Sequence, residues 1–181
     1  HQDLRTLANQ GARPFESWNQ QTALTANAIA NSAKDVPDDR VQQYLTNQVQ
    51  NDRVTPSGER LLLVNLASGT IVADSDEALT STDVRDVPGN RFWAERLRQM
   101  NGIDETQVVG TSENEMGAYL SVYAAPVEGT TRALVYFVDL ESYTSGLQDR
   151  EETVTYVVDA SQDGQFRTIV YDSTGGATFE S

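Results

Sequence analysis

The chain contains no cysteine, one lysine (Lys34) and one histidine (His1). The absence of cysteine removes disulfides, thiol nucleophiles and thiolate metal sites together. With its only histidine at the first position, the chain offers no base for a serine triad and no imidazole set for zinc. No stretch approaches the roughly 20 apolar residues of a membrane span, and no signal-peptide pattern is visible. Asn-x-Ser/Thr sequons are absent, so glycosylation is not indicated. Gly164, Gly175 and Gly176 lack the spacing of a phosphate-binding loop. Carboxylates are plentiful, but most side chains of an acidic chain are solvated, so no pair stands out as an acid–base couple. These absences predict a protein that is not an enzyme and carries neither metal nor cofactor.

Acid is what the chain has in abundance. Asp and Glu number 27 against 13 Lys and Arg, a formal net charge of -14 over 181 residues. Such a surplus repels phosphate backbones and anionic headgroups, which argues against nucleic acid as a partner. Arginine in place of lysine and many small residues suit adaptation to high salt, of the kind found in halophilic archaea. At molar salt the Debye length is roughly 3 Å, so self-repulsion on an acidic surface is screened. The length fits one full domain with the start of a second.

The hydrophobic period changes near Thr55. Before it, Phe15, Trp18, Thr22, Ala26, Ile29 and Ala33 recur at three- and four-residue steps, which predicts one long amphipathic helix. Pro37 with Asp38 and Asp39 breaks it, and Val41, Tyr44, Leu45 and Val49 predict a second, shorter helix. After it the period is two. Arg60–Leu66 and Thr70–Asp74 read as strands joined by an Ala67-Ser-Gly-Thr hairpin turn. Arg91–Met100 reads as a helix, and Gln107–Thr111, Ala118–Val127 and Thr131–Leu140 as three further strands. A brief helix is expected at Ser142–Leu147, then a hairpin from Val154–Asp159 and Phe166–Asp172. Asp159-x-Ser161-x-Asp163-Gly164 matches the first half of a calcium loop, but the twelfth position is Val170 instead of Glu, so a polar turn is the better reading. The expected fold is α+β: a long N-terminal helix and a five-stranded antiparallel sheet, with an extra C-terminal β-hairpin. The boundaries are 1–54 for the helical segment, 55–148 for the sheet module and 149–181 for the hairpin, a second module that is either reduced or cut through.

The order of segments from Leu61 to Leu140 resembles the Cache family, PAS-like sensor domains outside the membrane in chemoreceptors and sensor kinases. Leu61–Ser75 supplies an apolar run with a glycine turn, Leu79–Asp86 a polar loop, and Arg91-Phe-Trp-Ala-Glu95 the mid-domain helix start. Ala118–Val127 and Arg132–Leu140 supply two long apolar strands. The resemblance implies a PAS-like sheet and the extracellular small-molecule-sensing domain of a membrane-anchored transducer, feeding chemotaxis or a histidine kinase. It also implies a homodimer paired through the first helices, driven by Phe15, Trp18 and Ile29. The alternative is a structural or adhesive cell-surface domain with no small ligand.

Cache domains that recognise amino acids resemble one another in a signature: an aromatic, then Arg-x-Trp-aromatic, a Tyr on the third strand and an Asp ending the fifth. Arg91-Phe-Trp93 fits its core and Asp139 its end. A guanidinium grips a carboxylate through two parallel hydrogen bonds, a buried Asp takes an ammonium group, and an indole supplies an apolar wall with one donor. The departures are Asp86 for the leading aromatic, Ala94 after Trp93, and Thr111 near the third-strand Tyr with Glu113 two residues on. The expected site is therefore Arg91, Trp93, Asp139, Glu113, Thr111 and Asp86. Having fewer aromatics and more acid than the signature, it suits an amino-acid-like ligand that is zwitterionic or cationic.

Overall fold

The computed structural model describes residues 4–50, 58–87, 90–91, 93–100, 105–113, 119–139, 156–160 and 167–172. Two helices come first, α1 (Leu4–Ala33) and α2 (Val41–Gln50), then strands β1 (Gly58–Asn65) and β2 (Ile71–Asp74). A 3-10 turn at Val84–Asp86 leads to a short strand β3 (Asn90–Arg91) and helix α3 (Trp93–Gln99). Strands β4 (Gln107–Glu113), β5 (Tyr119–Pro126) and β6 (Arg132–Asp139) follow, and β7 (Tyr156–Ala160) with β8 (Arg167–Asp172) ends the described chain.

The main sheet runs β2-β1-β6-β5-β4-β3, every neighbour antiparallel. Five of its strands are those expected, and the α+β, PAS-like fold class holds. The sixth, β3, is two residues long and corrects the expected start of the mid-domain helix. The backbone of Asn90 and Arg91 pairs with Ser112 and Thr111 on β4, so Arg91 belongs to the sheet edge and α3 begins at Trp93. β7 and β8 form the expected hairpin, a two-stranded sheet of their own. The brief helix expected at 142–147 lies outside the described residues.

The central strands read as unbroken apolar runs because both faces of the sheet are covered. Along β6, Ala133, Val135 and Phe137 join Leu62, Val64, Val122 and Trp93 in the core on the α3 face. Their neighbours Leu134, Tyr136 and Val138 join Leu61, Leu63, Tyr123, Ala26 and Leu45 in the core under α1 and α2. One strand thus serves two cores through its period of two. Turn chemistry agrees. Asn65 Oδ1 accepts from the amides of Ala67 and Ser68, and Gly69 supplies the left-handed residue at φ 77° that closes the β1–β2 connection.

α1 lies on the sheet through the stripe predicted for it. Ala26 and Ala30 are fully buried and Ile29 nearly so. Trp18 packs edge-on against Tyr123, with ring centroids 6.4 Å apart, and the Tyr123 hydroxyl donates to Asn19 Oδ1. This corrects the expected dimer contacts. Ile29 is spent on the chain's own sheet and Trp18 stands against it, whereas Leu24, on the outer side of α1, is 67% exposed. The side chain of Phe15 lies outside the described residues. Among the described residues no helix is long and apolar enough to cross a membrane.

Candidate functional site

The expected site residues are spread over the fold, Arg91 on β3, Thr111 and Glu113 on β4, Asp139 on β6 and Asp86 in the 3-10 turn, and the ladder register sorts those on the sheet. One rung runs Asn90–Ser112–Leu120–Asp139. The next runs Arg91–Thr111–Ser121–Val138. Successive rungs serve opposite faces of a sheet. Leu120 packs in the core containing Trp93 and Val138 in the core beneath the N-terminal helices, so the Asp139 rung belongs to the α3 face. Trp93 and Asp139 thus fall on the α3 side of the sheet, whereas the rung of Arg91 and Thr111, shared with Val138, belongs to the opposite side, which corrects the expectation that Arg91 and Asp139 face one pocket. Glu113 pairs with Tyr119 on the far side of the Asp139 rung from Arg91. The side chains of Arg91, Thr111 and Glu113 lie outside the described residues. Asp83 caps the 3-10 turn by accepting from the Arg85 amide, which leaves Val84 buried and Asp86 exposed.

Trp93 is the centre of this face. Its side chain is fully buried and meets Phe137 edge-on, centroids 5.4 Å apart and planes at 86°. Such a pair contributes about 0.5–1.5 kcal/mol beyond its area. The indole Nε1–H has no hydrogen-bond partner. An indole can only donate, and leaving a buried donor unpaired costs about 1–3 kcal/mol. Close by, β4 carries a bulge between Val108 and Gly110, with Gly110 at φ 148° opposite Val122. Bulges of this kind re-aim side chains, and here Val109 is turned into the same core as Trp93.

Sequence reasoning treated Arg60 and Asp74 only as strand ends. Arg60 pairs with Phe137 across the sheet, and its guanidinium grips Asp74 with two bonds, Nε to Oδ1 at 2.9 Å and a terminal nitrogen to Oδ2 at 2.6 Å. The Asp74 side chain is wholly inaccessible to solvent and also accepts from the amides of Asp76 and Leu79 at 3.0 and 2.9 Å. Burial alone would push its carboxyl up, but the Arg60 bond and the two amides outweigh it and hold Asp74 below the ordinary carboxylate range. Asp76 also lies within 3.4 Å of Arg60, so acid outnumbers base at this edge. The signal that could have found the pair is an Asp closing an otherwise apolar strand opposite an Arg opening its neighbour. Among the described residues no group of three or more His, Cys, Asp or Glu gathers as metal ligands would.

No family model matches the chain, and no curated protein matches it. Among solved structures it is similar to the sensor domain of the histidine kinase DctB from V. cholerae, with a TM-score of 0.57 and 14% sequence identity. The match covers 93% of this chain and 65% of that one. At that identity the likeness concerns the fold: the arrangement of helices and sheet described above is one that a histidine-kinase sensor domain also uses.

Proposed function

We propose that this chain is the small-molecule-sensing domain of a membrane-anchored signal transducer, of Cache type, working outside the membrane and catalysing no reaction. The observation that carries the reading is the buried, unpartnered N–H of Trp93 on the sheet face shared with Asp139. A ligand acceptor group would satisfy the indole, and Asp139 would receive a positively charged group. That pairing supports an amino-acid-like ligand, zwitterionic or cationic, over a plain dicarboxylate. Of the further candidates Arg91, Thr111, Glu113 and Asp86, the Arg91–Thr111 rung falls on the opposite face of the sheet, which leaves Trp93 and Asp139 to carry the site. Fold likeness to a kinase sensor domain supports the transducer reading. The parent protein feeds either a kinase or a chemotaxis pathway. The acidic surface supports an origin in a high-salt organism.

The test is calorimetry in molar KCl with a panel of L-amino acids and methylated amino acids. A binder should lose tenfold or more in affinity in Trp93→Phe, because one hydrogen bond to a charged acceptor contributes about 1.5–3 kcal/mol. Unchanged affinity in that variant would remove the indole from the site.

The same reading includes a homodimer through α1. Residues 17–33 carry no charge in a chain whose net charge is -14. Their outer side presents Gln20, Leu24, Asn27, Ala28 and Asn31, all exposed. Two copies could meet along this side without bringing carboxylates together, with Leu24 at its centre. Analytical ultracentrifugation should show a dimer weakened by Leu24→Glu; a sedimentation profile unaffected by the substitution would count against it.

A further inference from the structure

Asp74 sits where the two layers covering the sheet meet. It closes β2, the edge strand, and its backbone is held from one side by α2. The Asp74 amide donates to Gln42 Oε1 at 3.0 Å, and Gln42 Nε2 donates to the Asp74 carbonyl. The glutamine amide thus copies the donor–acceptor pair that a further strand would offer to this edge. Gln42 Oε1 also accepts from Thr80 Oγ1 at 3.3 Å, and one turn further along α2 Thr46 Oγ1 donates to the Ser75 carbonyl at 3.2 Å. α2 belongs to the helix layer, with Val41 and Leu45 buried beside α1.

The side chain of Asp74 is held from the opposite layer. Its carboxylate takes Arg60 and the amides of Asp76 and Leu79, at the start of the 75–82 loop. Leu79 packs against the core of the α3 face, and Val84 just beyond the loop is buried in it. Glu77 and Ser81 in this loop stand at φ 63° and 69°, conformations that non-glycine residues adopt only when their surroundings enforce them.

We propose that Gln42, Asp74 and Arg60 form a mechanical link that makes the 75–82 loop on the α3 face and the N-terminal helix pair on the other face move together. Asp74 cannot shift to release the loop amides without straining its two bonds to Gln42, and α2 cannot move off the edge without dragging Asp74. The coupling is reciprocal. Its use in signalling rests on the sensor reading; the link itself does not, and it is tested without ligand.

The experiment is amide hydrogen exchange, resolved by residue, on the 181-residue chain and its Gln42→Ala variant in molar KCl. Gln42 is half-buried on a helix surface, so the variant should fold. Exchange should accelerate at Asp74, which loses its direct partner, and also by about tenfold at Asp76 and Leu79, whose amides bond the Asp74 carboxylate; Thr80→Ala, which removes the direct bond from this loop to Gln42, should leave them unchanged. Amides in the middle of β5 and β6, such as Tyr123 and Val135, should be unchanged. Acceleration confined to Asp74 would overturn the link, and so would equal acceleration everywhere, which is global destabilisation. A second check is the double-mutant cycle with Arg60→Gln. Its effect on the unfolding equilibrium should differ by about fivefold between the wild-type and Gln42→Ala backgrounds, because both side chains bond Asp74. Additive effects would contradict the proposal.

Discussion

The two faces of the main sheet are built from the same strands and yet differ in kind. Beneath α1 and α2 the core is filled by Ala26, Ala30, Leu61, Leu134 and their neighbours, and the Tyr123 hydroxyl sits at its rim against Asn19. On the α3 side an equally buried core is interrupted by charge and by an unsatisfied donor: Asp74 with Arg60, Asp139 at the end of β6, and the Trp93 N–H. A face that only had to pack would resemble the first. Thr22, Gln48 and Ser121 are buried on the helix side too, so what sets the α3 side apart is a buried charge and an unpartnered donor, both costly to bury, and the proposed site is placed there for that reason.

Mutation should expose the difference most sharply at Arg60. Arg60→Ala leaves the Asp74 carboxylate buried without its counter-ion, which costs about 3 kcal/mol. On the other face Tyr123→Phe removes a hydroxyl whose partner Asn19 can reach water, which costs about 1 kcal/mol. Urea unfolding of the two variants in molar KCl should rank them in that order; equal losses would erase the contrast.

Titration should break the two faces from opposite ends of the pH scale. Asp74 is held below the ordinary carboxylate range, so its stabilising contribution is complete above the unfolded value of about 4 and is lost as pH falls through the lowered value. Tyr123 is pushed up to about 12 by burial, so its neutral form favours folding below the unfolded value near 10, and that contribution fades as pH rises from there to about 12. Arg60→Gln should therefore flatten the acid limb and Tyr123→Phe the alkaline limb of a stability profile. Acid and alkaline limbs unchanged by these substitutions would show that other groups govern them.

Surface electrostatics should give the smallest specific effect. Arg132 grips Asp38 at 2.6 Å and Lys34 meets Glu128 at 3.2 Å, both tying the α1–α2 connection to the β5–β6 hairpin. Exposed pairs contribute about 0–1 kcal/mol and less in salt. Breaking either should cost little in molar KCl, where screening of the net charge of -14 dominates and the melting temperature should rise with salt. A melting temperature that falls as KCl is added would sink the high-salt reading.

Much of this contrast was legible in the sequence, and part of it was not. The change of period near Thr55 separated helices from strands, and the apolar runs at Leu61–Val64 and Ala133–Val138 marked strands, which the structure buries on both faces. Asn65 and Gly69 marked their turn by chemistry that acts over a few residues. β3 escaped because two residues carry no period, and Arg91 was read as a helix start for that reason. The placing of Asp139 and Arg91 on neighbouring rungs was equally hidden, since register depends on pairing across the sheet and a one-residue step changes the face. Gln42, Arg60 and Asp74 meet across separations of 14 to 32 residues, and no local pattern distinguishes this glutamine from its neighbours on α2.

The chain has two tryptophans, Trp18 on α1 and Trp93 at the start of α3, one for each face. Their indole N–H signals in a two-dimensional ¹⁵N NMR spectrum give separate reporters. The decisive measurement is a titration of the uniformly labelled protein, in molar KCl, with the members of the amino-acid panel that raise its melting temperature. The account predicts that the Trp93 indole proton moves downfield as its N–H gains an acceptor, while the Trp18 signal changes little. A panel in which nothing stabilises the protein, or a binder that moves Trp18 and leaves Trp93 in place, would contradict the assignment of ligand sensing to the α3 face.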